Sequence, residues 1–193
     1  MIRRHSVLLG LAAAAALVPA AAAAPSPDAQ AWTVEHAGSS LGFAGVADGA
    51  AFEGAFGAWE AEIRFDPDHL DWSGVKVTID MTSADSGDPN RDTPLLDNNW
   101  FATAMYPSAS FTTDAIASDG SGGYVAEGRL TIRDVTRPVA LPFTLVIEGD
   151  TAMMQGSVTI KRSDYGLGKN TWQDRSVADE VQVKVAITAT KAG

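Results

Sequence analysis

The stretch Gly123–Glu148, GYVAEGRLTIRDVTRPVALPFTLVIE, decides the fold class. From Tyr124 onward the residues alternate. Tyr124, Ala126, Gly128, Leu130 and Ile132 share one side, while Val125, Glu127, Arg129, Thr131 and Arg133 share the other. A period of two is the mark of a β-strand with one buried and one wet face. After a polar turn at Asp134-Val135-Thr136 the alternation restarts, with Val139, Leu141, Phe143, Leu145 and Ile147 in phase. The two runs read as a β-hairpin. Pro138 and Pro142 each lack a backbone donor, which places them near a strand start and at a bulge or sheet edge. A slip of one residue would turn every apolar side chain outward, so the register is strongly specified.

The same pattern extends in both directions. Trp59, Ala61, Ile63 and Phe65 alternate with Glu60, Glu62 and Arg64; Val75, Val77, Ile79 and Met81 alternate with Lys76, Thr78, Asp80 and Thr82. Trp32, Val34 and His36 begin an earlier strand that Leu41 and Phe43 continue past a Gly-Ser break. Ala109, Phe111 and Thr113 precede the hairpin. Met154, Gly156, Val158 and Ile160 follow it, and Val181, Val183, Val185 and Ile187 make the last strand. Pro25 to Ala31 reads as a flexible lead-in, and Pro94 to Phe101 as a short helical segment between strands. Many short alternating strands separated by turns define an all-β sandwich or barrel. An antiparallel barrel of about eight strands either fills with side chains or encloses one small ligand, and periodicity alone does not choose.

The 193 residues suit one domain, 25–193, behind a leader. Arg3 and Arg4, the apolar run Val7 to Val18 and the small residues Ala20 to Ala24 read as a signal peptide over 1–24, which predicts export to the periplasm. The chain has no cysteine, which excludes disulfides, thiolate metal sites and a cysteine nucleophile. Its formal charge of −10 becomes −12 without Arg3 and Arg4, since residues 1–24 hold no Asp or Glu. So acidic a chain excludes nucleic acid as a partner.

No serine stands in a Gly-x-Ser-x-Gly elbow, and His36 and His69 are the only histidines after the leader. A catalytic triad has no persuasive members, and no catalytic residue or cofactor is predicted. Asp85, Asp88, Asn90 and Asp92 crowd one loop, but they lack the EF-hand spacing and its terminal glutamate. Turn chemistry accounts for them, and no metal is predicted.

Taken together, the ordered motifs Gly54-x-Phe56, Ile63-x-Phe65-Asp66-Pro67, Val75-x-Val77-x-Ile79-Asp80, Arg91-Asp92, Trp100-Phe101, Tyr106-Pro107, Gly128-x-Leu130-Thr131-Ile132, Thr136-x-Pro138-Val139, Arg162-x-Asp164-Tyr165-Gly166-Leu167-Gly168 and Asp179-Glu180-Val181 resemble the YceI-like family over residues 32–190. The resemblance implies an extended lipocalin-like barrel with an apolar pore for a polyisoprenoid chain. It implies a periplasmic carrier of an isoprenoid lipid, of polyprenyl phosphate or quinone type. An enzyme acting on such a lipid, or a packed barrel that binds protein, is the alternative. The pore would be lined by Phe43, Phe52, Phe56, Phe65, Ile79, Met81, Phe101, Phe111, Leu130, Ile132 and Phe143. Arg91 and Arg162 stand as candidates for the polar head, against a structural role at the barrel ends. Many family members carry histidines where this chain has Gly38 and Val46-Ala47. That variant resembles members linked to inner-membrane b-type cytochromes, which favours a quinone-like ligand and such a partner.

Overall fold

The computed structural model describes residues 24–169 and 175–193. Of the leader, only Ala24 falls among them; the rest of the signal-peptide reading lies outside the described residues. Eleven strands form one sheet: β1 (Ala31–Val34), β2 (Ser40–Ala47), β3 (Ala50–Phe56), β4 (Trp59–Arg64), β5 (Gly74–Asp80), β6 (Ala84–Asp85), β7 (Ser108–Ser118), β8 (Tyr124–Ile132), β9 (Val135–Glu148), β10 (Thr151–Lys161) and β11 (Glu180–Lys191). One short helix, α1 (Pro89–Leu95), stands apart from the wall.

All pairings are antiparallel, and β11 closes the sheet by pairing β10 on one edge and β1 and β2 on the other. β1 and β2 together make one long strand interrupted by a 3-10 turn at His36–Gly38. β3 with β4, and β5 with β6, are likewise broken strands that continue in one direction, since β6 pairs β3 as β5 pairs β4. Counted so, the wall is a closed barrel of eight antiparallel strands. One end, here the upper, carries the β8–β9 turn and α1; the lower carries the β7–β8 and β9–β10 turns.

The hairpin forms as its alternation predicts. Ala126, Gly128 and Ile132 are buried, and Leu141 and Phe143 answer them from β9. Its turn is tighter than the polar run suggests. Ile132 pairs Val135, so Arg133 and Asp134 make the whole loop, with Arg133 in the left-handed region at φ 57°. Asp48-Gly49 turns β2 into β3, with both residues at positive φ, as a type I′ hairpin needs.

Three further readings are corrected. The helix starts five residues before Pro94, because the Asp88 side chain accepts from Asn90 N (3.0 Å) and Pro89 occupies the first helical position. Pro94 then lies in its last turn. The segment before β1 is docked: Ser26 N donates to Trp72 O (3.0 Å), Arg64 donates to the Pro27 and Ala29 carbonyls, and Ala29 is buried. β7 continues past Thr113 through a bulge that takes up Asp114. Ile116 thereby returns to the interior, and Asp114 meets Arg129 outside at 2.9 Å.

Two inward glycines let aromatic rings cross the interior. A Cβ on Gly54 would stand 2.4 Å from Phe43 Cζ and 2.7 Å from the Asp85 carbonyl; on Gly128 it would stand 2.4 Å from Thr112 O and 2.8 Å from Phe111 Cζ. Backbone cannot give way as a flexible side chain does. Gly128→Ala and Gly54→Ala are therefore each expected to lower stability by about 1–3 kcal/mol. Urea unfolding should show this as a shifted midpoint at constant slope.

Candidate functional site

The barrel interior holds two chambers. The lower, of about 170 Å³, is lined from every wall strand, and Phe65, Phe111 and Phe143 are among its walls. Its lining is aliphatic and aromatic apart from Thr113. The Thr113 hydroxyl already accepts from Val75 N at 2.8 Å, and the Trp32 indole donates to Phe65 O at 3.0 Å. A cavity of about 150 Å³ with such a lining stays dry and admits apolar guests. Small inward side chains keep it open: Ala61, Ala126, Ala152 and Ala189 stand among the aromatics. Its floor is a ring cluster in which Tyr124 lies 5.4 Å from both Phe65, edge-to-face, and Phe143, stacked.

The upper chamber is larger, about 400 Å³. Phe43, Phe52, Phe56, Met81, Phe101 and Ile132 line it, with Phe43 and Phe56 at 5.2 Å between ring centres. Leu41, Ile79, Leu130 and Val183 belong to both chambers and form the waist between them. Unlike the lower chamber, the upper one has polar groups on its wall: Asp48, Asp88, Asn90, Arg91, Arg162 and Ser176.

All thirteen residues proposed from sequence for the ligand thus face one chamber or both. The two arginines differ. Arg162 is buried, and its Nε, Nη1 and Nη2 donate to the carbonyls of Ala178 (3.2 Å), Leu167 (2.7 Å) and Val177 (2.8 Å). Its guanidinium also lies 5.6 Å from the centre of the Trp100 ring. Three carbonyls spread over two segments make it a pin for the chain above the barrel, because a buried cation needs this many partners. Arg91 is partly exposed at the rim. Its Nε donates to Ser86 Oγ (2.7 Å) and its guanidinium lies 4.6 Å from the Phe52 ring centre, facing the chamber.

Of the cover at the top, the sequence offers Leu95–Phe101 as a plug or gate at one barrel end, or as ordinary packing, and assigns no such role to Tyr165 or Leu167. Trp100, Tyr165 and Leu167 are buried there, and a Cβ on Gly168 would stand 2.9 Å from the Trp100 ring. Tyr165 and Leu167 sit inside the quoted motifs, so the signal was present without a role attached. His36 lies outside both chambers: the strand break turns it out, half exposed, against the Trp59 ring at 4.8 Å. The acids of the 85–92 loop serve local structure. Asp88 caps α1, Asp85 accepts from Gly87 N, and Asp92 accepts from Ser86 N and Oγ.

The sequence matches the YceI-like domain over residues 32–189, and the chain belongs to the YceI-like family. Protein YceI of Escherichia coli is 35% identical over 97 residues, half of each chain. A UPF0312 protein of Pseudomonas aeruginosa is 29% identical over 120 residues, and the chain spans 62% of that relative's length. The crystal structure of Burkholderia cenocepacia BcnA superposes with a TM-score of 0.77 at 35% identity, covering 81% of this chain and 99% of BcnA. A domain from Saccharophagus degradans described as polyisoprenoid binding has the same fold, with a TM-score of 0.65 at 18% identity over 84% of this chain and 99% of that one.

Burial, with the Asp164 carboxylate second, pushes the Tyr165 phenol up from 10.0 to about 12, against a smaller opposing effect of Arg137. The neutral form is the one the fold favours. Its contribution is complete below pH 10, where the unfolded phenol is also neutral, and is lost as pH rises from 10 through 12. The loss is on the order of 3 kcal/mol. Denaturation midpoints measured across that window should fall more steeply for the native chain than for Tyr165→Phe.

Proposed function

We propose that this protein carries or buffers a long-chain isoprenoid lipid in the periplasm, with the tail in the barrel and the head at the upper rim. One observation carries the reading. The two chambers meet at a waist, their shared lining is apolar, and among the described residues charged groups face only the upper one. An amphiphile with one polar end matches that distribution, since burying an unpaired polar group in the lower chamber is costly. The description of the Saccharophagus degradans domain as polyisoprenoid binding points to the same ligand class. At the rim Arg91 is the group suited to a phosphate or a quinone carbonyl oxygen, as its guanidinium borders the chamber beside Phe52. Arg162 acts on the ligand through the Trp100 cover it holds.

Burying an apolar chain gains about 0.8 kcal/mol per methylene, hence roughly 3–4 kcal/mol per five-carbon unit. Eight units would exceed the practical affinity ceiling of about −18 to −21 kcal/mol, so ordering costs and a full pore must cap the gain. Affinity is expected to rise with prenyl length and then plateau. Trp32 and Trp59 line the lower chamber and Trp100 the upper, so quenching of tryptophan fluorescence in the delipidated protein follows the titration. Length-independent binding, or none, would leave a packed barrel.

The waist offers a second test. Ile79→Arg puts a charge where both chambers meet and is expected to abolish prenyl retention. Circular dichroism and a cooperative melt must first show that the variant folds.

A further inference from the structure

The ladder between β9 and β10 stops halfway up the barrel. Glu148 pairs Thr151 at the turn, and the pairing runs to Phe143 opposite Gly156, where it ends. Above that point residues 135–142 pair β8 only, and residues 157–161 pair β11 only. The cause is written in the chain. The Pro142 carbonyl lies 2.7 Å from where a Cβ on Gly156 would stand, so it faces β10. A residue in an antiparallel strand aims its N–H and C=O the same way, and residues two apart share that direction. Residues 138, 140 and 142 therefore all face β10, and both Pro138 and Pro142 have no N–H to give. Continued, the register would set them opposite Lys161 and Ser157 with two of three donors missing. A second break in the wall, between β1 and β4, is covered by the His36–Gly38 turn, with the His36 ring against Trp59.

The interior behind this unpaired stretch belongs to both chambers. Val139 and Leu141 of β9 and Val158 of β10 line the lower one, and Ile160 lines the upper. Near its top, Arg137 Nε donates to the Asp164 carbonyl at 3.2 Å. We propose that the unpaired stretch between β9 and β10 is a side passage through which the apolar chain of the ligand enters and leaves, latched by Arg137. The proposal rests on the isoprenoid-carrier reading above. A long tail entering at the rim must pass end-first through the waist of Leu41, Ile79, Leu130 and Val183. Sideways entry fills both chambers at once, past Val139, Leu141 and Val158. It breaks no β9–β10 ladder pair there, because the pairing ends at Phe143 opposite Gly156.

The absence of cysteine makes the test clean. Ala140→Cys with Thr159→Cys, joined by a reductant-cleavable bis-maleimide, closes the passage; Thr159→Cys with Gln182→Cys, across the intact β10–β11 ladder, is the control. Uptake and release of octaprenol are followed by tryptophan fluorescence, with cross-linking verified by mass. The first staple is expected to slow both by about tenfold or more, with recovery on reduction, while the control staple leaves them unchanged. Arg137→Ala is expected to speed both several-fold. Unchanged rates in the stapled protein and in Arg137→Ala would overturn the passage and leave the carrier standing. Octaprenol that fails to bind even the unmodified protein would remove the carrier reading, and the passage with it.

Discussion

Closure of the sheet on β11 is the constraint on which the rest depends. An open eight-strand sheet with one apolar face would expose that face and two edges. β11 removes both edges by holding β10 along eleven residue pairs and accepting β1 and β2 on its other side. Along the edge that closes the barrel, the first strand takes six steps from Val34 to Ser40 where β11 takes three from Ala189 to Ala186, so its surplus residues loop out as the 3-10 turn. The local bonds there repair the break: Glu35 N donates to Thr188 O at 2.8 Å, and Ser39 Oγ accepts from Thr188 N at 3.0 Å. A histidine that reads as inward is thereby turned out. Barrel closure, rather than chemistry, fixes the place of His36.

A closed barrel of this size fills with side chains unless its inward residues leave room. The chain leaves room selectively. Gly54 and Gly128 admit the Phe43 and Phe111 rings, whereas Ala61, Ala126, Ala152 and Ala189 stand where larger residues would fill the lower chamber. Large and small inward residues are thus arranged to enclose an apolar hollow. The cost in lost packing is real, since each unfilled volume forgoes dispersion contacts. A guest that supplies those contacts is stabilised by the same amount, which ties the hollow to the apolar ligand it fits.

The wall was largely legible in the sequence because alternation reports a half-buried strand wherever the pairing is regular. β4, β5, β8 and β9 follow it residue by residue. What alternation cannot carry is a change of phase. The bulge at Asp114 shifts the inward set from Thr113 to Ile116, so the second half of β7 went unread. The start of α1 depends on one side-chain cap at Asp88 in a run that reads as loop. Residues 25–30 look like linker by composition, and groups distant in sequence dock them: the Trp72 carbonyl, Arg64, the Phe65 amide and the Ala192 carbonyl. In the candidate site, inward phase identified the lining, but the cover of Trp100, Tyr165 and Leu167 comes from irregular chain held by Arg162. No period marks such a segment. The placement of Pro138 and Pro142 at an edge was readable; that the edge lies inside a closed barrel was not.

The two ends of the barrel are unlike, and the difference gives the interior a direction. The lower end is lined by apolar groups, with Tyr124 stacked on Phe143 and meeting Phe65 edge-to-face. Among the described residues, the lining of the lower chamber has no charged side chain to pair a charged or strongly hydrated group. The upper end places Asp48, Asp88, Asn90 and Arg91 around its chamber, and of these Arg91 joins charge to the apolar interior through the Phe52 ring. Two carboxylates, Asp48 and Asp88, share that wall with two arginines, Arg91 and the carbonyl-pinned Arg162, so its formal charges balance. The same rim tolerates a head that offers hydrogen-bond acceptors without full charge. A ligand of the proposed class would therefore be oriented by the two unlike ends, its polar head beside Arg91 and its tail below the waist, independently of which polar head it carries.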